Sequence, residues 1–269
     1  MKKIVIGIAL ILVIIFGGGT ALLNTGLGDY VEDELGVDLS FLESEEGTGD
    51  NETGNQEETN ENVSNEGGTD LTNYQIPEYT GEEIIIVNDN VPYFNEDDLN
   101  VSQGSWETFA DYDNLGRVGV ADALLHQDLM PTQSRADSGS ISHIYPTGFK
   151  HNGESNNQRV DGGWLYHRSH LIGFQLTGHM NNEHNLMTGT KTFNTPNMVS
   201  FENQVAKYLE DTNNHVRYRI TPAFSGEEML ARGIFMEAQS VEDDTIQFNV
   251  FIHNVEDNVE LNYQTGEVQ

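Results

Sequence analysis

Cysteine is absent from the chain, which removes disulfide staples, thiolate nucleophiles and cysteine-based zinc sites from consideration. It leaves the compartment open, because a domain of about 190 residues can bury a core without cross-links. Basic residues are scarce as well: 12 Lys and Arg stand against 44 Asp and Glu, a formal charge of −32. That is the wrong sign for a protein that attracts polyanions over long range. The deficit is unevenly spread. From Gly81 onward there are 10 basic and 28 acidic residues, yet between Arg117 and Arg219 nine basic residues balance nine acidic ones. The middle is neutral and the flanks are acidic, so the excess reads as a solubility adaptation to salty surroundings that calls for no acidic ligand.

What is present falls into three parts. Residues 1–27 open with Lys2-Lys3 and continue through IVIGIALILVIIFGGGTALL, roughly 20 apolar residues and so long enough to span a bilayer. Lysines before the span and acids after it place the amino end in the cytoplasm and the rest outside, as a single-pass protein of the cell membrane. A cleaved signal peptide, leaving a secreted protein, is the rival; the uninterrupted length and the lack of an A-x-A site favour a signal-anchor. Residues 28–80 are rich in Glu, Asn, Gly, Thr and Asp, and read as an acidic disordered linker with no binding role of its own.

Residues 81–269 form the expected folded domain. The run Ile84–Val87 followed by Asn88-Asp89-Asn90 predicts a strand and a turn. Val118–Met130 mixes apolar spacings of three and four, so it reads as a helix or an irregular buried segment. Gly163–Gly173 reads as a strand that delivers His170 near its end. From Pro196, a residue suited to a first helical position, Met198, Phe201, Val205, Tyr208 and Leu209 recur at helical steps and predict one amphipathic helix. His215–Phe224, Gly233–Val241 and Thr245–Asn254 then predict three consecutive antiparallel strands. The expected class is α+β, with one main helix packed on a mostly antiparallel sheet.

The chemistry concentrates between Trp164 and Glu202. Hydrolysis of a phosphodiester needs a base for water, a cation for the phosphate charge and help for the leaving group. A neutral imidazole suits the first task, with its unperturbed pKa of about 6.5. A hard ion such as Mg²⁺ suits the second and needs few protein oxygens, because it keeps most of its waters. His170, Asn194 and Glu202 fit these needs as base, carbonyl ligand and a carboxylate that hydrogen-bonds the ion's waters. Glu202 lies about two helical turns beyond Asn194 and roughly 80° around the axis. Plainer readings exist for each: a satisfied core histidine, a helix N-cap asparagine and a surface glutamate. Arg217 and Arg219 alternate on one strand face and suit phosphate contact or structural ion pairing equally. His143, His167, His179 and His184 have no zinc-finger or H-E-x-x-H spacing.

At these residues the chain resembles the DNA/RNA non-specific endonucleases of the ββα-metal fold, and within them the streptococcal DNA-entry nuclease branch. The family's Asp-Arg-Gly-His motif corresponds to His167, Arg168, Ser169 and His170. The likeness continues through LIGFQLTG, the asparagines of HNLMTGT and KTFNTPNM, VRYRITPAF, EAQS, FNVFIHNV and LNYQTGEV, and reaches back to GRVGVADALLHQDLMPT. It covers roughly residues 80–269.

The resemblance implies a ββα-metal core in which His170 is the general base and Asn194 the single protein ligand of Mg²⁺, with Mn²⁺ able to substitute. By the same likeness Glu202 steadies the ion's waters, Asn185 supports the site and Arg168 contacts phosphate, a task for which its planar fork of donors is suited. Two positions depart from the pattern. Ser169 for glycine is mild, whereas His167 for aspartate removes a carboxylate and changes how the motif strand is braced. The implied activity is Mg²⁺-dependent, sequence-tolerant hydrolysis of DNA, with RNA as a second substrate, through phosphate contacts and with 5′-phosphate products; DNA uptake is one role for it, and no protein partner is identifiable. A non-catalytic DNA-binding or uptake receptor on the same fold is the alternative from another class, and a contact-dependent toxin a third.

Overall fold

The computed structural model describes residues 74–150, 159–160 and 163–268. The expected membrane span and the linker up to residue 73 lie outside the described residues. In chain order the strands are β1 (Ile84–Ile86), β2 (Trp106–Phe109), β3 (Ala121–Leu125), β4 (Arg159–Val160), β5 (Gly163–Trp164), β6 (Tyr166–His170), β7 (Leu186–Thr190), β8 (Val216–Ala223), β9 (Gly233–Ser240), β10 (Gln247–His253), β11 (Leu261–Asn262) and β12 (Glu267–Val268). Two α-helices interrupt them, a single turn α1 (Phe174–Thr177) and the main helix α2 (Val199–Thr212).

Six strands make one sheet in the order β1-β10-β9-β8-β3-β2, each pair antiparallel. The three consecutive strands expected at the C-terminal end are β8, β9 and β10. Beside this sheet β6 and β7 pair on their own, His170 opposite Leu186. The α+β class expected from the sequence holds, with two strands and one long helix carrying the motif.

Helix α2 is amphipathic, as its spacing requires. Val205, Tyr208 and Leu209 are buried while Lys207 and Glu210 are exposed, and the buried stripe packs with Val216, Tyr218, Ile220, Met236 and Val250 in the main core. It ends at Asn213, which takes the left-handed conformation (φ 57°) and returns its N–H to the Leu209 carbonyl, a position asparagine tolerates. Its start differs from expectation. Pro196 lies inside a broken turn, Phe193–Met198, in which Thr195 is extended (φ −142°, ψ 119°). The ring of a proline drives the preceding residue out of the helical region, so regular helix begins only at Val199.

The opposite face of the sheet is covered too. Tyr74, Ala223, Phe235 and Phe251 form a second cluster with Ile76, Tyr93 and Val120 around it. All eight residues of β8 are consequently buried, including Arg217 and Arg219 at 2% and 3% exposure. Arg217 donates to both Asp122 oxygens and lies over the rings of Phe94 and Trp106 at 4.8 and 4.7 Å. Arg219 pairs with Glu237, its cross-strand partner on β9, by a 2.7 Å bond from Nε. Both arginines are structural, which decides against a phosphate role.

Two further expectations are corrected. Val118–Met130 is neither helical nor irregular: it contains strand β3 and a 3-10 turn, Gln127–Leu129. Ala121, Ala123, Leu124 and Leu125 are all fully buried, and a strand buried on both faces shows no alternation to read. The segment Gly163–Gly173 is not one strand, since it breaks between β5 and β6 and stops at His170. Packing also begins ahead of Gly81, because Tyr74 is buried and donates its hydroxyl to Glu237 at 2.7 Å.

Glu237 thus accepts from Tyr74, the Tyr93 N–H and Arg219 at once. Removing it leaves a buried guanidinium without its counter-charge, a change that costs about 3–5 kcal/mol. Glu237→Ala is expected to lower stability by that amount in urea denaturation, and a loss below 1 kcal/mol would contradict the assignment.

Candidate active site

Strand β6 ends at His170 because the chain turns there, and the turn is held by one side chain. Asn185 accepts from the Ile172 N–H at 2.8 Å and donates Nδ2 to the Ile172 carbonyl at 2.9 Å, while its own carbonyl receives the Leu171 N–H at 2.9 Å. Asn185 is fully buried and lies behind the site without reaching it. It is a positioning residue.

His170 is 6% exposed, and its Nε2 lies 2.9 Å from the Met180 carbonyl. A carbonyl only accepts, so Nε2 carries the proton and Nδ1 is the basic nitrogen of the neutral ring. Burial lowers the imidazole below its ordinary pKa, offset by the Met180 hydrogen bond and assisted by the charges of Arg135 and His179. The ring is neutral at pH 7, as a base must be.

His170 opens on a cavity of about 570 Å³ that Asn194, Glu202, Arg168, His167 and Arg135 also line. Glu202 is 6% exposed and accepts no hydrogen bond from any described residue. Burial raises its carboxyl to about 7, with Arg135 opposing the shift. It fits because Gly173 has no side chain: a Cβ there would stand 2.7 Å from the carboxylate. Asn194 donates Nδ2 to the Thr195 hydroxyl at 3.0 Å, which leaves Oδ1 without a donor among the described residues. No three His, Asp or Glu side chains there converge as a metal site. The donor set is therefore one amide oxygen and one unpartnered carboxylate, which suits a hydrated hard cation and not a fully protein-ligated one.

The motif neighbours have other work. Arg168 directs Nε to the Ile144 carbonyl and Nη2 to the Ser142 carbonyl at 3.0 Å, and lies over Phe149 and Tyr145 at 4.3 and 5.1 Å. Its guanidinium anchors the 142–149 loop, so two of its nitrogens are committed to backbone where phosphate contact was expected. His167 places Nε2 3.1 Å from the Trp164 carbonyl. Ser169 projects over Gly189 of β7, where a Cβ would meet its hydroxyl at 2.3 Å, which is how serine replaces the motif glycine. His179 pairs with Glu107 and His184 with the Ala110 carbonyl.

Sequence reasoning missed Arg135. It is exposed, in a 3-10 turn at Arg135–Asp137, and its side chain makes no ion pair or hydrogen bond among the described residues while lining the same cavity as His170 and Glu202. No periodicity marks a loop residue; the available signal was the scarcity of arginine in so acidic a chain.

Glu202 makes a pH-dependent contribution whose sign is fixed. The folded state holds a proton to about pH 7 that the unfolded chain releases near 4.5, so stability falls as pH rises between these values and the loss is complete above 7. Glu202→Gln is expected to stabilise the protein in EDTA at pH 8 by up to about 3 kcal/mol and to match wild type at pH 4. Urea titrations at the two pH values check this; equal stability at pH 8 would contradict it.

The family model for DNA/RNA non-specific endonuclease matches residues 99–242. Among solved structures, NucA from Streptococcus agalactiae with magnesium ion bound is 26% identical with a TM-score of 0.61, over 69% of this chain and 87% of that one. The same protein with no metal bound gives 0.59 at 26% identity, over 69% and 86%. Sda1 nuclease with bound zinc ion gives 0.52 at 26% identity, over 61% and 80%. Motif, fold and family match agree, and the chain belongs to the DNA/RNA non-specific endonuclease family.

Proposed function

We propose that the protein is a membrane-anchored extracellular endonuclease that uses Mg²⁺ to hydrolyse DNA, with RNA as a second substrate. The observation that carries the reading is the shared cavity. His170 offers Nδ1, and Asn194 and Glu202 offer an amide oxygen and a carboxylate that have no donor among the described residues, all lining one cavity.

His170 Nδ1 removes a proton from water as the water oxygen attacks phosphorus, and the bond to the 3′ oxygen breaks to leave a 5′-phosphate and a 3′-hydroxyl. The Met180 carbonyl holds the imidazole orientation and favours the imidazolium that results. Arg135 contributes positive charge beside the phosphate, a role open to a side chain without partners among the described residues. Asn194 would hold a Mg²⁺ ion and Glu202 would hydrogen-bond its waters, and the ion would supply positive charge to the phosphate when bound. A magnesium ion is bound in the NucA structure, which supports this choice. The anchor reading rests on Lys2-Lys3 and the apolar run after them; protease treatment of intact cells should release the domain, and protection would refute the topology.

In a plasmid-cleavage assay with Mg²⁺, His170→Ala is expected to lose about 10²–10⁴-fold in rate, and Arg135→Ala about 10- to 100-fold in kcat/KM. Undiminished cutting by His170→Ala sinks the assignment of His170 as base, and no Mg²⁺-dependent cutting by wild type sinks the nuclease reading and favours the non-catalytic receptor. Asn194→Ala should weaken Mg²⁺ binding in calorimetry, independently of rate.

A further inference from the structure

Four aromatic side chains among the described residues are exposed: Tyr79, Tyr112, Tyr145 and Trp164. Three of them border one loop. Trp164 and Ile141 line the catalytic cavity. Tyr112 and Tyr145 line a second cavity of about 330 Å³, with residues 143–147 of the same loop, Glu183 and Leu186. Arg168 ties the two together, since it enters the catalytic cavity and bonds to the carbonyls of Ser142 and Ile144.

Both tyrosine rings are backed and so are set in place before any ligand arrives. Tyr112 stacks on His184 with 4.3 Å between centroids and 17° between planes, and His184 is held by the Ala110 carbonyl at 3.1 Å. Tyr145 lies against the Arg168 guanidinium at 5.1 Å and meets Phe149 edge-on at 6.0 Å. Each nevertheless keeps a large open surface, 40% for Tyr112 and 55% for Tyr145.

The polar groups say which part of a nucleotide fits. Among the described residues no lysine or arginine lines this second cavity, whereas Glu183 and His143 do. A phosphate would meet a negative charge, and the Arg168 guanidinium behind Tyr145 is already committed to the carbonyls of Ser142 and Ile144. A base meets π faces, and its exocyclic amino group meets the Glu183 carboxylate as acceptor. The overall charge points the same way: at −32 the protein has little long-range attraction for phosphate, and stacking is a source of affinity that does not depend on charge.

We propose that the cavity between Tyr112 and Tyr145 is a nucleobase subsite, which takes an unpaired base from the strand whose phosphate lies at His170. It makes single-stranded nucleic acid the preferred substrate, because a base in a duplex must first leave its stack. This rests on the nuclease reading, and the test separates the two.

His170→Ala protein in EDTA is titrated by fluorescence anisotropy with a fluorescein-labelled single-stranded oligonucleotide and with an abasic strand of equal phosphate number. The base-bearing strand is expected to bind roughly 10-fold more tightly. Adding Tyr112→Ala should erase most of that difference, and Tyr112→Phe should keep it. In the otherwise wild-type enzyme, Tyr112→Ala should raise KM for the single strand roughly 10-fold, with kcat and the duplex KM unchanged. Equal binding of the two strands, or an equal rise in KM for single strand and duplex, overturns the proposal. Base-dependent binding with no cleavage by wild type supports the subsite and refutes the hydrolytic reading alone.

Discussion

The structure depends on a corner. At Ile172 the chain leaves strand β6 inside the protein, where an unpaired N–H or carbonyl costs about 1–3 kcal/mol. Asn185 satisfies both groups with a single amide. Everything in the site follows from where that corner lies. His170 becomes the last residue of the strand and can turn its ring to the Met180 carbonyl. Gly173 comes to rest against α2, leaving the space that the Glu202 carboxylate occupies. His170 and Glu202 thus come from different elements and meet because one amide fixes a bend of two residues.

Charge is handled by commitment. Arg117, Arg168, Arg217 and Arg219 all donate to carboxylates or carbonyls of the same chain. Four of the domain's ten Lys and Arg residues are therefore consumed in holding it together, and the cavity keeps the Arg135 side chain uncommitted among the described residues. Such a protein cannot gather nucleic acid through a diffuse positive field. Recognition falls to groups that act at contact distance, where salt screens them least.

Much of this was legible beforehand, for definable reasons. Strands β8 to β10 and helix α2 are long enough for their periods to show through local noise. The motif around His170 pointed to the cavity, and the expected helix brought Asn194 and Glu202 to the same region. What escaped notice depends on partners distant in the chain. Strand β3 is buried on both sides and so has no alternation. Arg168 looked available until the loop at 142–149 closed over it. Asn185 was identified as supporting the site, but its two bonds to Ile172 exist only once the corner has formed. Arg135 sits on a loop where spacing carries no information. Arg217 and Arg219 alternate as surface residues would, and only the covering of the second sheet face turns them into core ion pairs.

The anchoring of Tyr74 has a mechanical side. Tension applied to the chain ahead of this residue reaches the domain first at the Tyr74–Glu237 bond and the edge strand β1. Glu237 is braced in turn by Arg219. A pull on the chain ahead of Tyr74 is therefore borne first by a buried ion pair.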